Sequence, residues 1–94
     1  MIIAVDFDGT IQLPDRTPNK ALVRVLRNHQ RAGNKIILWT CRDGRRLEEA
    51  LRYCRGLGIR FDAVNQNLPE VIKMLGHDPR KIFADIYIDD KAVK

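Results

Sequence analysis

The sequence predicts an α/β domain, a small parallel sheet with helices on both faces. Three observations carry this. The runs Ile2-Ile3-Ala4-Val5 and Lys35-Ile36-Ile37-Leu38-Trp39-Thr40 are almost continuously apolar, as strands buried on both faces require. Segments with apolar residues at helical spacing alternate with them. Gly and Pro punctuate the joins, at the offsets where helices start and stop.

In chain order, the first strand covers residues 2–6 and empties into Asp6-Phe7-Asp8-Gly9-Thr10. Residues 11–16, with Pro14 and Asp15, read as a loop or small flap. The first helix takes Thr17 as N-cap and Pro18 at N1, turns Ala21, Leu22, Val25, Leu26 and Ala32 inward, and stops at Gly33. Residues 35–40 form the second strand. The second helix runs from about Asp43 to Leu57, with Leu47, Ala50, Leu51, Cys54 and Leu57 as its apolar stripe and Gly58 after it. Phe61-Asp62-Ala63-Val64 is a third strand. A short third helix has Asn67 as cap and Pro69 at its start, faces Val71, Ile72 and Leu75 inward, and ends at Gly76. Ile86-Tyr87-Ile88, extended back to Ile82 or Phe83, is the fourth strand. Asp85 inside it either pairs with a neighbouring Arg or Lys or marks a later strand start. Strands alternating with helices in this way build βαβ units.

Ninety-four residues suffice for one domain, 1–94, with 45% hydrophobic content and only 6% aromatic. The core is therefore one of Ile, Leu and Val, with Trp39 packed beside the second strand. Cys41 and Cys54 lack metal or redox spacing and read as buried, reduced thiols of a cytoplasmic protein. No apolar run approaches the roughly 20 residues of a membrane span, and Asp6 interrupts any signal-peptide core. His29 and His77 stand near helix ends, where a cation complements the helix dipole. The net charge of +5 owes much to Arg42, Arg45, Arg46, Arg52, Arg55 and Arg60. One reading is a solvated helix face balanced by Glu48 and Glu49. The other is attraction of anionic substrates, nucleic acid among them. Without interleaved aromatics a single-strand platform is not built, which favours the first.

Three chemical features fall at strand ends: Asp6 and Asp8, then Thr40, then Asp89-Asp90. In a parallel sheet these ends share one edge, where open α/β sheets bind ligands. Residues i and i+2 of a strand point to one face, so Asp6 and Asp8 are expected to converge, and four carboxylates to meet at one crevice. Such a cluster needs a cation, and a site of oxygen ligands suits Mg²⁺. Gly9 permits a sharp turn and close approach to a ligand. An EF-hand is excluded, because Gly9 comes too early and Thr17 stands where the bidentate Glu belongs.

With those residues in view, the chain resembles the haloacid dehalogenase (HAD) superfamily of phosphohydrolases, in its small cap-less form. The resemblance covers essentially the whole length and implies a single Rossmann-like domain without a cap. It implies that Asp6 is nucleophile and metal ligand, and that Asp8 is general acid/base with its carbonyl on the metal. Thr40, helped by the backbone N–H of Cys41, would hold the phosphoryl group, and Asp89 and Asp90 would hold Mg²⁺. Gly9, Thr10, Cys41 and Arg42 are the expected substrate-binding positions. The phosphate-pairing cation is Lys81 by resemblance. A straight strand reaching back to Ile82 would put Lys81 at the wrong end of the sheet, so Lys73 stays its rival. The implied activity is a Mg²⁺-dependent phosphomonoester phosphatase, acting through an aspartyl-phosphate on small or macromolecular phosphates. The open site could be covered by a second copy of the chain. Two alternatives stand beside this reading: a phosphatase domain processing nucleic-acid ends, and a metal- or phosphate-binding module without turnover.

Overall fold

The computed structural model describes residues 1–90. Seven elements follow one another: β1 (Ile2–Val5), α1 (Lys20–Arg31), β2 (Lys35–Leu38), α2 (Gly44–Gly56), β3 (Ala63–Val64), α3 (Pro69–Leu75) and β4 (Ile86–Ile88). The strands form one sheet in the order β3-β2-β1-β4, all parallel. The expected fold class is thus the observed one, Rossmann-like α/β. The chain walks outward from β1 through β2 to β3, then crosses back to lay β4 on the other side of β1. Ligand crevices in such sheets lie where the winding reverses, here between β1 and β4.

Strand alternation divides the core between two faces. Ile3, Val5, Ile36 and Leu38 pack with Val23 and Leu26 of α1 and Ala50 and Cys54 of α2. Ala4, Ile37 and Ala63 pack on the other face with Leu68, Val71 of α3 and Ile82. The second face is covered by one seven-residue helix and the chain that follows it. That thin cover explains why Trp39 is 47% exposed and not core as expected. It meets Tyr87 edge to face, ring centres 6.0 Å apart.

Several local expectations give way to tertiary bonds. Thr17 does not cap α1, because its N–H and hydroxyl both donate to Asp15 Oδ1. Pro18 bridges to Gln12 ahead of the helix. Asn19 caps instead, its side chain accepting from Leu22 N at 3.2 Å. The later start turns Val23 inward, while Ala21, Val25 and Ala32 are exposed. The third strand is shorter than expected because Asp62 Oδ2 takes the N–H of Ile36 at 2.9 Å.

Asn67 is not a helix cap but a fully buried node. Its Oδ1 accepts from Phe83 N at 2.6 Å, and its Nδ2 donates to Asp78 Oδ1, Pro79 O and Lys81 O. Leu68 precedes α3 in its place, and Leu75 is exposed rather than inward. The fourth strand begins only at Ile86, with the hydroxyl of Tyr87 donating back to Ile82 O. Asp85 marks that start rather than pairing with an Arg or Lys among the described residues, and its carboxylate accepts from Ile2 N at 2.7 Å.

Of the two thiols, Cys54 is buried as expected and Cys41 is exposed. Burial pushes the Cys54 thiol up to about 12, which keeps it protonated and unreactive. No helix among the described residues is long and apolar enough to cross a membrane.

Candidate active site

The sheet ladders run past the strand ends and carry the acidic residues into register. Asp6 N donates to Ile88 O at 2.9 Å, and Trp39 N donates to Val5 O at 2.9 Å. Asp6 therefore stands beside the Asp89-Asp90 pair on one side and the Trp39-Thr40 segment on the other. Asp6, Trp39, Thr40, Cys41, Asp89 and Asp90 line one cleft of about 350 Å³.

Asp8 takes another direction. β1 ends at Val5, and the chain then coils into a tight turn in which the N–H groups of Thr10, Ile11 and Gln12 all point at Phe7 O. The strand rule that would align Asp6 with Asp8 no longer applies there. Asp8 faces a second cleft, of about 460 Å³, whose walls include Gly9, Gln12, Arg16, Arg42, Arg46 and Asp90. Its carboxylate accepts from Arg42 Nε at 3.0 Å and Nη2 at 2.8 Å, a two-pronged pair. Arg42 also lies over the Phe7 ring, 4.7 Å from its centre, and donates to Arg46 O. The expected meeting of four carboxylates is thus corrected: Asp6, Asp89 and Asp90 share one cleft, Asp8 is engaged by Arg42, and Asp90 borders both. Among the described residues no three acidic, His or Cys side chains close on a single point.

The two aspartates of the first motif are tuned in opposite directions. Burial raises the Asp6 carboxyl above its ordinary value, and repulsion from Asp90, Asp8 and Asp89 adds to this against a hydrogen bond from Phe7 N. The Arg42 hydrogen bonds, with the Arg42 and Arg46 charges, hold Asp8 below its ordinary value despite some burial. Asp6 and Asp90 offer oxygen ligands in a repulsive setting that a hard cation relieves. Mg²⁺ commonly needs only one or two carboxylates beside waters and phosphate, so this pair fits it.

Thr40 lies beyond β2, and its backbone N–H is held by Asn65 Oδ1 at 2.8 Å. Asn65 itself adopts a left-handed backbone, φ 54°, just after β3. The Thr40 hydroxyl accepts from Arg42 N at 3.2 Å, which leaves its own hydrogen free to point into the cleft. This job of Asn65 was not legible in sequence; the only signal was its place after a strand.

Gly9 has φ 75°, and a Cβ there would sit 3.1 Å from Asp90 Cβ. Glycine is therefore required twice, for the backbone and for the nearness of Asp90. Gly9→Ala is expected to cost about 1–2 kcal/mol from the backbone alone, read by urea denaturation. Gly9→Asn tolerates the left-handed backbone better, so the loss it retains reports the push against Asp90.

Thr10, expected among the substrate-binding residues, is 3% exposed, and its hydroxyl is enclosed under the turn. The lysines are both exposed. Lys73 lies on α3. Lys81 O accepts from Asn67 Nδ2 at 3.1 Å, and Asn67 stands three residues beyond β3, on the carboxyl edge of the sheet. The chain returns to the opposite edge only at Asp85, whose N–H reaches Ile2 O at 2.8 Å. No straight strand joins Lys81 to Ile86, yet neither Lys81 nor Lys73 lines the cleft that holds Asp6, and no lysine among the described residues is one of the charges that shift its carboxyl.

No protein-family model matches the chain, and no curated protein does. Among solved structures it is similar to a conserved protein from Bacteroides thetaiotaomicron. The two are 40% identical with a TM-score of 0.81, over 99% of this chain and 78% of the other.

Proposed function

The chain belongs to one family with that conserved Bacteroides thetaiotaomicron protein, and we propose that it is a Mg²⁺-dependent phosphohydrolase of the HAD type. The observation that carries the proposal is the cleft at the carboxyl edge, where Asp6 adjoins Thr40, Asp89 and Asp90 beside the β1–β4 reversal.

In this reading Asp6 Oδ attacks phosphorus and the ester P–O bond breaks, leaving the phosphoryl group on Asp6. Asp8 supplies the proton that the leaving oxygen takes up. It then removes a proton from water, which attacks phosphorus and releases inorganic phosphate and the Asp6 carboxylate. The Thr40 hydroxyl and the Cys41 N–H hold the phosphoryl oxygens, and a lysine, Lys81 or its rival Lys73, pairs with their charge. Asp6, Asp90 and the Asp8 carbonyl would hold Mg²⁺, with Asp89 beside them. When bound, the ion neutralises the acidic pair and the phosphoryl oxygens.

The Arg42 pair sharpens the part played by Asp8. It favours the ionised carboxylate, the form that accepts a proton. Donation to the leaving oxygen requires the pair to open, and an anionic substrate offers Arg42 another partner. A panel of aryl and alkyl phosphates, with and without Mg²⁺, tests the proposal. Turnover lost on chelation and restored by Mg²⁺ is the expected result, and turnover indifferent to Mg²⁺ overturns it.

A further inference from the structure

We propose that the cleft between the 11–16 loop and the first turn of α2 binds a second phosphate of the substrate. The preferred substrate is then a phosphomonoester carrying another phosphate nearby. This rests on the phosphohydrolase reading above and adds to it the chemical class acted on.

The first observation is charge left over beside the site. The cleft next to Asp8 continues into one of about 310 Å³ on the α2 side, and Gln12, Arg16, Arg42 and Arg46 wall both. Arg42 is committed to Asp8 at 2.8 Å. Arg16 and Arg46 have no carboxylate within ion-pair distance among the described residues. The acidic groups at these walls are Asp8 and Asp90 at the catalytic end and Glu49 at the other. The space between is positive and opens toward Asp8.

The second observation is that both arginines stand where local physics opposes them. Arg45 and Arg46 occupy the first turn of α2, which carries no acidic residue, although the positive end of a helix dipole favours Asp or Glu there. Arg16 has φ 71°, a left-handed backbone that costs a side-chain-bearing residue about 1–2 kcal/mol. Such violations collect at functional positions.

The third observation is that Arg16 is held in that state. Its N–H donates to Leu13 O at 2.8 Å, and Tyr53 of α2 donates its hydroxyl to Arg16 O at 3.3 Å. The loop is thereby tied to the helix that carries Arg46, and Arg16 and Arg46 border the same two cavities. Guanidinium groups suit phosphate oxygens, which they bind in two-pronged fashion.

The test uses α,ω-alkanediol bisphosphates of graded length against the matching alkyl monophosphates, in Mg²⁺ at low salt. Wild type is expected to prefer bisphosphates by roughly tenfold in kcat/KM at an optimal length, the scale of two partly exposed ion pairs. The preference should fall toward unity in the Arg16→Gln/Arg46→Gln variant and as salt is raised. Arg16→Gly relieves the strained backbone, so lost preference with undiminished stability excludes a folding defect. Equal rates for the two series at every length overturn the inference. A 3′- or 5′-phosphorylated dinucleotide separates the sources: a larger gain there supports an in-chain phosphodiester as the second phosphate. Calorimetric binding of the bisphosphate to Asp6→Asn needs no turnover. Selective binding by an inactive wild type would overturn the phosphohydrolase reading and leave the anion site standing. Unselective binding overturns the site itself.

Discussion

Asp6→Asn is expected to abolish Mg²⁺-dependent phosphate ester hydrolysis, lowering kcat by about 10³-fold or more, as loss of a nucleophile does elsewhere. The same change should not harm the fold. Burial and three acidic neighbours disfavour the charged form of Asp6. With its folded value raised, stability is greatest in acid and falls as pH rises through that value. At neutral pH the charge is a net burden, and asparagine removes it while still accepting from Phe7 N, which Asp6 Oδ1 now holds at 2.8 Å. The variant should unfold at the same temperature or slightly higher, with a flatter pH dependence above pH 4. Mg²⁺ should raise the melting temperature of the wild type more than that of the variant, since a ligand of the native state stabilises it by mass action. Activity unchanged in Asp6→Asn would sink the nucleophile assignment, whatever the thermal data show.

Asn67→Ala is expected to give the largest stability loss of any single polar substitution, roughly 2–4 kcal/mol in urea denaturation. Asn67 is fully buried and serves Asp78, Pro79, Lys81 and Phe83 at once. Alanine takes the shared partner from the Phe83 N–H, the Pro79 and Lys81 carbonyls and the Asp78 carboxylate, all in part-buried positions. Polar groups left unpaired where water reaches them poorly cost more than the bonds themselves contribute. The segment held by Asn67 includes Lys81, so the variant should also lose hydrogen-exchange protection between residues 78 and 83. A loss under 1 kcal/mol would mean that Ile82, packed against Val71 and Leu68, anchors this segment alone.

How far the sequence could be read follows from the range of the forces involved. The strands announced themselves because residues 3–5 and 36–38 are fully buried, and a strand covered on both faces must be apolar there. Helix ends at Gly33, Gly58 and Gly76 were legible for a local reason, since each adopts the positive φ that only glycine takes freely. Asp6, Thr40 and Asp89-Asp90 could be set on one edge because a parallel sheet aligns its carboxyl ends.

What failed were chiefly expectations decided by one particular polar partner, near or far in the chain. Thr17 had the right chemistry for a cap, but Asp15 claimed it. Asn67 looked like a cap and was drawn into bonds with residues 11 to 16 positions away. Trp39 looked like core because strand residues usually are, yet nothing long enough follows β3 to cover it. Asp8 was expected beside Asp6, and Arg42, 34 residues away in sequence, holds it in a neighbouring cleft.

The sequence by itself therefore determined the α/β class, the parallel sheet and the set of residues at its carboxyl edge. These rest on periodicity and on glycine sterics, which act within a few residues. Only the tertiary structure decided which acids share a cleft, and which arginines stand without an ion-paired acid among the described residues. Those outcomes depend on hydrogen bonds and charges between residues far apart in the chain, and a polar side chain carries no local mark of the partner it will find.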